Sequence, residues 1–118
     1  MNDDFEGVTI PLNGVLARWD ALAIRWGLDG NECSALLGGI HVGAVDDVSS
    51  YGLPAAERRM RLLVALEPIL RRVFIDEERI REWLRLPNRH LCHRTPLEAM
   101  TQSPEWIRWL IGAIGTAA

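Results

Sequence analysis

The residues with the clearest potential for chemistry are the three histidines and the two cysteines, namely His41, His90, His93, Cys33 and Cys92. His90, Cys92 and His93 lie close together and suggest a metal site, but no fourth ligand follows at zinc-finger or helical spacing. The cysteines form no CxxC pair and are too few for a disulfide framework. We therefore expect reduced thiols, no bound metal and no cofactor.

The acidic residues and the glycines do not predict catalysis either. Asp76, Glu77 and Glu78 are consecutive, which is typical of a helix N-terminus and not of a separated acid–base pair. Gly38 and Gly39 lack the preceding strand and the further glycine of a phosphate-binding loop. No combination of Ser, His and Asp supports a nucleophilic triad. We expect a protein that acts by binding and is not an enzyme.

Charge is distributed unevenly along the 118 residues, whose net charge is −3. Residues 1–50 contain eight acids and two arginines, whereas residues 51–118 contain eleven arginines and eight acids. The acidic N-terminus lacks the basic and then apolar order of a signal peptide. No apolar run approaches the roughly 18 residues needed to cross a bilayer. We expect a cytoplasmic protein that makes no contact with a membrane.

Apolar spacing predicts a first helix over residues 14–26, capped by Asn13 and ended by Gly27. Asp29 and Glu32 have the spacing of a capping box, which predicts the start of a second helix. Neither the alternation of a strand nor a hairpin dipeptide appears. The chain is therefore predicted to be all-α, a compact helical protein.

Residues 1–53 have the element lengths of a helix-turn-helix unit, with a short third helix at 42–50 as the recognition element. Such an element needs basic or amide side chains to contact phosphates and base edges, but this one contains Asp46 and Asp47. We therefore predict a degenerate, structural version of the unit. Three arginines follow, which could contact phosphate or equally form the solvated face of a helix: Arg58, Arg59 and Arg61.

A long connecting helix is predicted over residues 54–74, opened by Pro54 at its first turn. Its buried face is expected to comprise Met60, Leu63, Leu66, Leu70 and Phe74. Pro68 falls inside this run and removes one backbone hydrogen bond, so we expect a kink or a break near residues 65–67.

Residues 75–118 are predicted to form a three-helix module. Asp76 is placed to cap the first helix, which ends near Leu84. The other two helices each begin with a capping residue followed by proline. The second starts at the capping box of Thr95 and Glu98, and the third starts at Ser103 and runs to about Ile114.

The stretch IREWLRLPNRHLCHRTPLEAM resembles the C-terminal toxin-binding domain of the Xre/MbcA/ParS antitoxin family. In that family a helix ending in Trp-Leu or a similar pair leads into a Pro-Asn loop, then a Thr-Pro-Leu-Glu type of helix start and a closing helix. This chain has Trp83-Leu84, Leu86-Pro87-Asn88, Arg94-Thr95-Pro96-Leu97-Glu98 and a closing helix from Pro104, in that order. The resemblance is strong over residues 75–115 and weak over 14–74. Many members have Gly-Gly where this chain has Cys92 and His93.

The resemblance implies the antitoxin of a bacterial type II toxin–antitoxin system. It also implies a partner, a RES-domain toxin that consumes NAD or transfers its ADP-ribose, and inhibition by covering the active-site cleft of the toxin. We expect a homodimer or a hetero-oligomer with the toxin. The alternative is a helix-turn-helix transcriptional regulator that binds DNA, and the acids at 46 and 47 favour the antitoxin.

The last predicted helix gives a separate reason to expect a protein partner. Its apolar residues cover about 200° of its circumference, against about 100° for a helix that faces one core. Either small helices enclose it fully or part of it forms an interface, where Trp and Arg dominate the binding energy. The small residues after it could enter a narrow cleft. The predicted toxin-binding residues are Trp83, Pro87, Asn88, Arg89, Arg94, Trp106, Trp109, Ile111, Ile114, Thr116 and Ala118.

The acidic segment at 42–50 predicts weak DNA binding that depends strongly on salt, because only the arginines that follow it could neutralise phosphates. A gel shift on the promoter upstream of the gene measures this. Tight, sequence-specific binding by the free protein near physiological salt would show that the segment is a working recognition helix.

Overall fold

The computed structural model describes residues 11–39 and 52–117, and over these ranges the chain is helical. An isolated bridge between Asn88 and Arg94 is the only strand-like pairing in these ranges, which agrees with the predicted all-α class. No described helix is long and apolar enough to span a bilayer. His41 and the predicted third helix at 42–50 lie outside the described residues. The elements are α1 Leu12–Arg25, α2 Gly30–Leu36, α3 Gly52–Val73, α4 Glu77–Leu84, a 3₁₀ turn at Arg89–Leu91, α5 Pro96–Gln102 and α6 Pro104–Ala117.

Helix α3 is the element against which the others are arranged, and its most extensive contacts are with α1 and α6. It begins at Gly52, two residues before the predicted start at Pro54. Four residues of its predicted inner face are fully buried, while Phe74 is half-buried just beyond its end. The buried four are Met60, Leu63, Leu66 and Leu70.

Pro68 does not break α3, which continues to Val73, so the predicted break is wrong. The proline faces solvent, while Leu66 and Leu70 on either side of it are completely buried. Burying each leucine contributes about 1.5–3 kcal/mol, and together they offset the roughly 3 kcal/mol that an internal proline costs. Tertiary packing therefore overrides the local preference.

Both predicted capping boxes are present. In the first, the backbone N–H of Glu32 donates to Asp29 Oδ1 at 2.8 Å, and that of Asp29 donates to Glu32 Oε1 at 3.0 Å. In the second, Glu98 and Thr95 make the same exchange at 3.1 and 2.9 Å. Each box satisfies two N–H groups that the helix leaves unpaired, and such a cap contributes about 1 kcal/mol.

One predicted cap is wrong, and a second is confirmed in position only. Asn13 lies inside α1, where its side chain accepts only from the adjacent N–H of Gly14, and Pro11 occupies the cap position. Asp76 stands directly before α4 as predicted, but its side chain accepts no capping hydrogen bond. At the other end of α1, Gly27 has a φ of +66° and ends the helix as predicted.

Arg59 joins the C-terminal ends of two short helices. Its Nη1 donates to the carbonyl oxygen of Leu36 at the end of α2, at 3.4 Å, and to those of Met100 and Thr101 near the end of α5, at 3.1 and 3.3 Å. These carbonyls have no donor later in their own helices. Burial lowers the pKa of the Arg59 guanidinium from its ordinary value, and neighbouring Arg58 lowers it further.

Arginines of α4 hold the end of α1 in the same way. Arg81 donates to the carbonyl of Arg25 at 2.8 Å, and Arg85 donates to those of Trp26 and Gly27 at 3.1 and 3.0 Å. Arg25 in turn binds the buried Glu67 of α3 through two hydrogen bonds of 2.5 and 2.7 Å, which raise the pKa of Arg25. Residues from both sides of the undescribed segment are thus connected by a network of charged hydrogen bonds.

Replacing Arg59 with methionine keeps the apolar stem and removes the donors. We expect the free energy of unfolding to fall by about 2 kcal/mol, the scale for a buried hydrogen bond to a charged group. The control is Arg58→Met, which removes an exposed ion pair with Glu105 at 3.5 Å. This variant should change the free energy of unfolding by less than about 0.5 kcal/mol. Urea denaturation compares the two, and equal midpoints would contradict a clamping role for Arg59.

Candidate functional site

An apolar groove opens where the end of α3 meets α4, α6 and the loop after α4. Its volume is about 320 Å³. Most of the side chains around it are aliphatic or aromatic, and the two polar ones come from the loop. The lining residues are Val73, Phe74, Trp83, Asn88, His90, Trp109, Leu110, Ala113 and Ile114.

Aromatic pairs fix two sides of the groove. The rings of Phe74 and Trp83 are 5.7 Å apart, and Trp109 meets Trp106 edge to face at 5.9 Å. Both separations are within the range of favourable aromatic contacts. Trp109 nevertheless remains 47% exposed, so one of its faces is available to a partner.

The apolar surface continues beyond the groove along the short connection between α3 and α4. Val73 is 43% exposed and Ile75 is 97% exposed, although both are large aliphatic residues. They flank Phe74, so three consecutive apolar residues lie at this edge of the molecule. Exposed apolar surface that is contiguous and located beside a groove is typical of a protein interface.

Helix α6 is not enclosed on all sides by the described part of the chain. Ile107 and Leu110 are buried against the core, whereas Trp109 and Ala113 face outward. Its end also differs from the prediction, because the helix continues past Ile114 to Ala117.

The loop between α4 and α5 closes around Asn88. The Oδ1 atom of Asn88 accepts from the N–H of His90 at 2.8 Å, and its carbonyl accepts from the N–H groups of Leu91 and His93. Leu91 is completely buried and anchors the loop. His90 is thereby held at the groove.

Cys92 and His93 both have left-handed backbone conformations, with φ values of 58° and 64°. This region favours glycine, because a Cβ atom there approaches the following carbonyl oxygen. These are the positions at which the resemblance has Gly-Gly in many members. The backbone here therefore adopts a shape that suits Gly-Gly, although both residues carry side chains.

The groove brings together four of the predicted toxin-binding residues, namely Trp83, Asn88, Trp109 and Ile114. The others are distributed around it. Pro87 and Arg89 are exposed in the neighbouring loop, Trp106 and Ile111 are half-buried, and Thr116 is exposed and donates to the carbonyl of Gly112. Ala118 lies outside the described residues.

Arg94 lies in a different cleft, of about 690 Å³, between α2 and α5. That cleft also contains Glu32, Arg85 and Glu98, so its walls carry both signs of charge. The backbone of Arg94 is bonded to the groove residue Asn88, whose N–H donates to the Arg94 carbonyl at 2.9 Å, but Arg94 lines this second cleft and not the groove.

The sequence prediction missed five of the groove residues. Val73 was not singled out, Phe74 was assigned to the core, and His90 was considered only as a metal ligand. Leu110 and Ala113 belong to the apolar arc of the last predicted helix but were not among the predicted toxin-binding residues. One signal in the sequence could have indicated the edge of the groove. Residues 73–75 are three consecutive apolar residues, whereas a single buried helix face needs an apolar residue only every three or four positions.

The residues considered for DNA contact have partners within the fold. Arg59 is bound to three carbonyl groups, Arg58 pairs with Glu105, and Arg61 Nε lies 2.8 Å from Glu57 Oε2. Their contact with phosphate remains a prediction.

Residues that could support metal or thiol chemistry are dispersed. Residues 11–39 and 52–117 contain no group of three His, Cys, Asp or Glu side chains that could hold a metal ion. Burial raises the pKa of the Cys33 thiol, and the nearby carboxylates of Asp29, Glu32 and Asp20 add to the shift. The protonated thiol that this favours is a poor nucleophile.

A family model matches the part of the chain that contributes five of the nine lining residues of the groove. Residues 70–108 match the family model of the antitoxin Xre/MbcA/ParS C-terminal toxin-binding domain, as the sequence resemblance predicted. The match extends from the last turn of α3 into α6. No significant match is found among curated proteins or solved structures.

Substitution of Cys92 tests the strain in the loop, because its exposed side chain contributes little packing. We expect Cys92→Val to lower the free energy of unfolding by about 1–2 kcal/mol, since a β-branched residue tolerates the left-handed region poorly. Cys92→Gly is the matched control and should equal or exceed the original stability. Thermal denaturation measures both, and equal losses in the two variants would show that the cysteine side chain itself is needed.

Proposed function

We propose that this chain, whose residues 70–108 form an antitoxin toxin-binding domain, neutralises a RES-domain toxin by covering its active-site cleft. The domain itself implies a toxin protein as the partner. The RES identity of the toxin and the occlusion of its active site are parts of the proposal, and both come from the family resemblance.

The observation that carries the proposal is the overlap of the groove with the matched residues. Five of the nine lining residues fall inside 70–108, and the other four follow on α6, starting at Trp109. The exposed apolar residues at the edge of the groove, Val73 and Trp109, therefore lie within the matched residues and directly after them on α6.

The chemistry of the groove suits binding more than catalysis. Its polar atoms are an amide and an imidazole at one end, and the rest of its surface is apolar. A partner side chain entering the groove would bury Trp109 and Val73 together with its own apolar surface, gaining roughly 25 cal/mol per Å² of area removed from water. A central aromatic residue of this kind usually dominates the binding energy of an interface.

Occlusion is best assigned to the helical body. The sequence suggested that small residues after Ile114 could enter a narrow cleft as a tail, but Gly115, Thr116 and Ala117 continue α6. A rigid helix loses less conformational entropy on binding than a free tail would. We therefore propose that α6 and the adjacent groove lie across the mouth of the toxin cleft, with Trp109 at the contact.

Trp109→Ala tests this directly. We expect it to weaken toxin binding by about 2 kcal/mol or more, roughly a thirtyfold loss of affinity, because it truncates an aromatic anchor. Ile24→Ala is the matched control, since Ile24 is 78% exposed on α1 and should have no effect. Arg89→Ala is expected to weaken binding less than Trp109→Ala. The measurement is NAD turnover by the RES-domain protein encoded beside this gene, titrated with each variant.

Circular dichroism establishes that each variant folds. Equal inhibition by the Trp109 and Ile24 variants would remove the groove from the interface. The proposed partner would be contradicted if the unaltered chain failed to inhibit the neighbouring RES-domain protein. It would also be contradicted if no such gene were present and the chain inhibited a toxin of another class.

A further inference from the structure

Exposed arginines lie beside residues that line the apolar groove. Arg72 directly precedes Val73, and Arg89 separates the two polar lining residues of the loop. Both of these arginines are exposed. A third exposed arginine, Arg79, lies one helical turn before Trp83 on α4, and residues four apart share a helix face. Together Arg72, Arg79 and Arg89 are called the basic rim.

The basic rim has no neutralising partner among the described residues. None of its three guanidinium groups forms an ion pair or a hydrogen bond there. By contrast, Arg25, Arg59, Arg81 and Arg85 are all engaged within the fold.

The nearby carboxylates do not cancel the rim. Glu105, one turn before Trp109, pairs with Arg58 at 3.5 Å. Glu78 and Glu82 line a separate cleft on the other side of α4. Asp76, which directly follows the exposed Ile75, is then the described acid nearest in sequence to the groove. Three exposed cations therefore lie beside this groove with little local compensation.

We propose that the groove receives an apolar projection of the toxin that is bordered by carboxylate side chains, which pair with the basic rim. The inference rests on the proposed function and specifies the chemistry of the partner surface. An apolar centre with a polar, charged border is the usual composition of a specific protein interface. Unpaired arginines are suited to such a border, because the planar guanidinium can bind a carboxylate through two hydrogen bonds.

The centre of the groove argues against a polyanion as its occupant. Phosphates would pair with the rim but would leave the aliphatic and aromatic lining exposed. An anionic lipid surface could satisfy both features, so vesicles form one arm of the test. The match of residues 70–108 to a toxin-binding domain favours a protein.

The rim and the groove are expected to control different steps. Exposed charges accelerate encounter and are screened beyond about 8 Å at physiological salt, so rim pairs should act mainly on the association rate. The buried contact at Trp109 should act mainly on dissociation. Removing rim charges therefore has a kinetic signature that simple loss of packing does not have.

The experiment is stopped-flow association of the full chain with the RES-domain protein encoded beside its gene, at several salt concentrations. The test variant is Arg79→Gln with Arg89→Gln. The control, Arg71→Gln with Arg108→Gln, removes the same net charge. Arg71 projects from the side of α3 opposite Val73, and Arg108 lies on the face of α6 that is turned away from the groove.

We expect the rim variant to associate about tenfold more slowly at low salt, with a dissociation rate changed less than about threefold and a flatter salt dependence. The control should stay within about twofold of the unaltered chain. Equal effects of the two variants, or association that accelerates with salt, would overturn the inference while leaving toxin binding intact.

Two other results would also be decisive. If phosphatidylserine vesicles bind the unaltered chain and the rim variant abolishes this binding without slowing association with the toxin, the rim serves a lipid surface and the inference is wrong. If the unaltered chain forms no complex with the RES-domain protein at any salt concentration, it is the proposed function that fails.

Discussion

The carbonyl oxygens at the C-terminal ends of α1, α2 and α5 find no donor in their own helices, and arginines from α3 and α4 supply it. Arg59 donates to three of these carbonyl groups, Arg85 to two and Arg81 to one. A helix C-terminus also carries partial negative charge, which favours a cation there. Five N–H donors in one planar group make arginine able to bind two helix ends at once, as Arg59 does.

This clamping explains how a small protein can leave one face open. Two contacts connect the described ranges 11–39 and 52–117. Arg25 of α1 pairs with Glu67 of α3, and Arg81 of α4 donates to the carbonyl at the end of α1, so α1 is held to both α3 and α4. Helices α4 and α6 can then present apolar side chains outward without losing their positions. The division into 1–53, 54–74 and 75–118 stays a prediction, and these contacts show how closely its parts are joined.

Local signals predicted well where the chemistry is local. The capping boxes at Asp29 and Thr95 involve residues three apart, and the four buried residues of α3 follow from periodicity alone. The groove could be predicted only in part, because Trp109 was recognisable from composition whereas Val73 becomes a wall only when α6 packs beside α3. The break predicted at Pro68 is absent for the same reason: the local penalty of the proline is visible in the sequence, and the packing that offsets it is not.

The five tryptophans differ widely in their surroundings, and this gives the molecule an optical property. Trp19 and Trp26 are enclosed in the core, and the indole N–H of Trp26 has no hydrogen-bond partner among the described residues. Trp109 is the one in the groove with about half of its surface in water. Covering the groove would transfer that indole, and to a smaller extent the half-buried ring of Trp83, from a polar to an apolar medium, so their emission would move to shorter wavelength while that of Trp19 and Trp26 stays unchanged. The groove therefore contains its own fluorescent reporter.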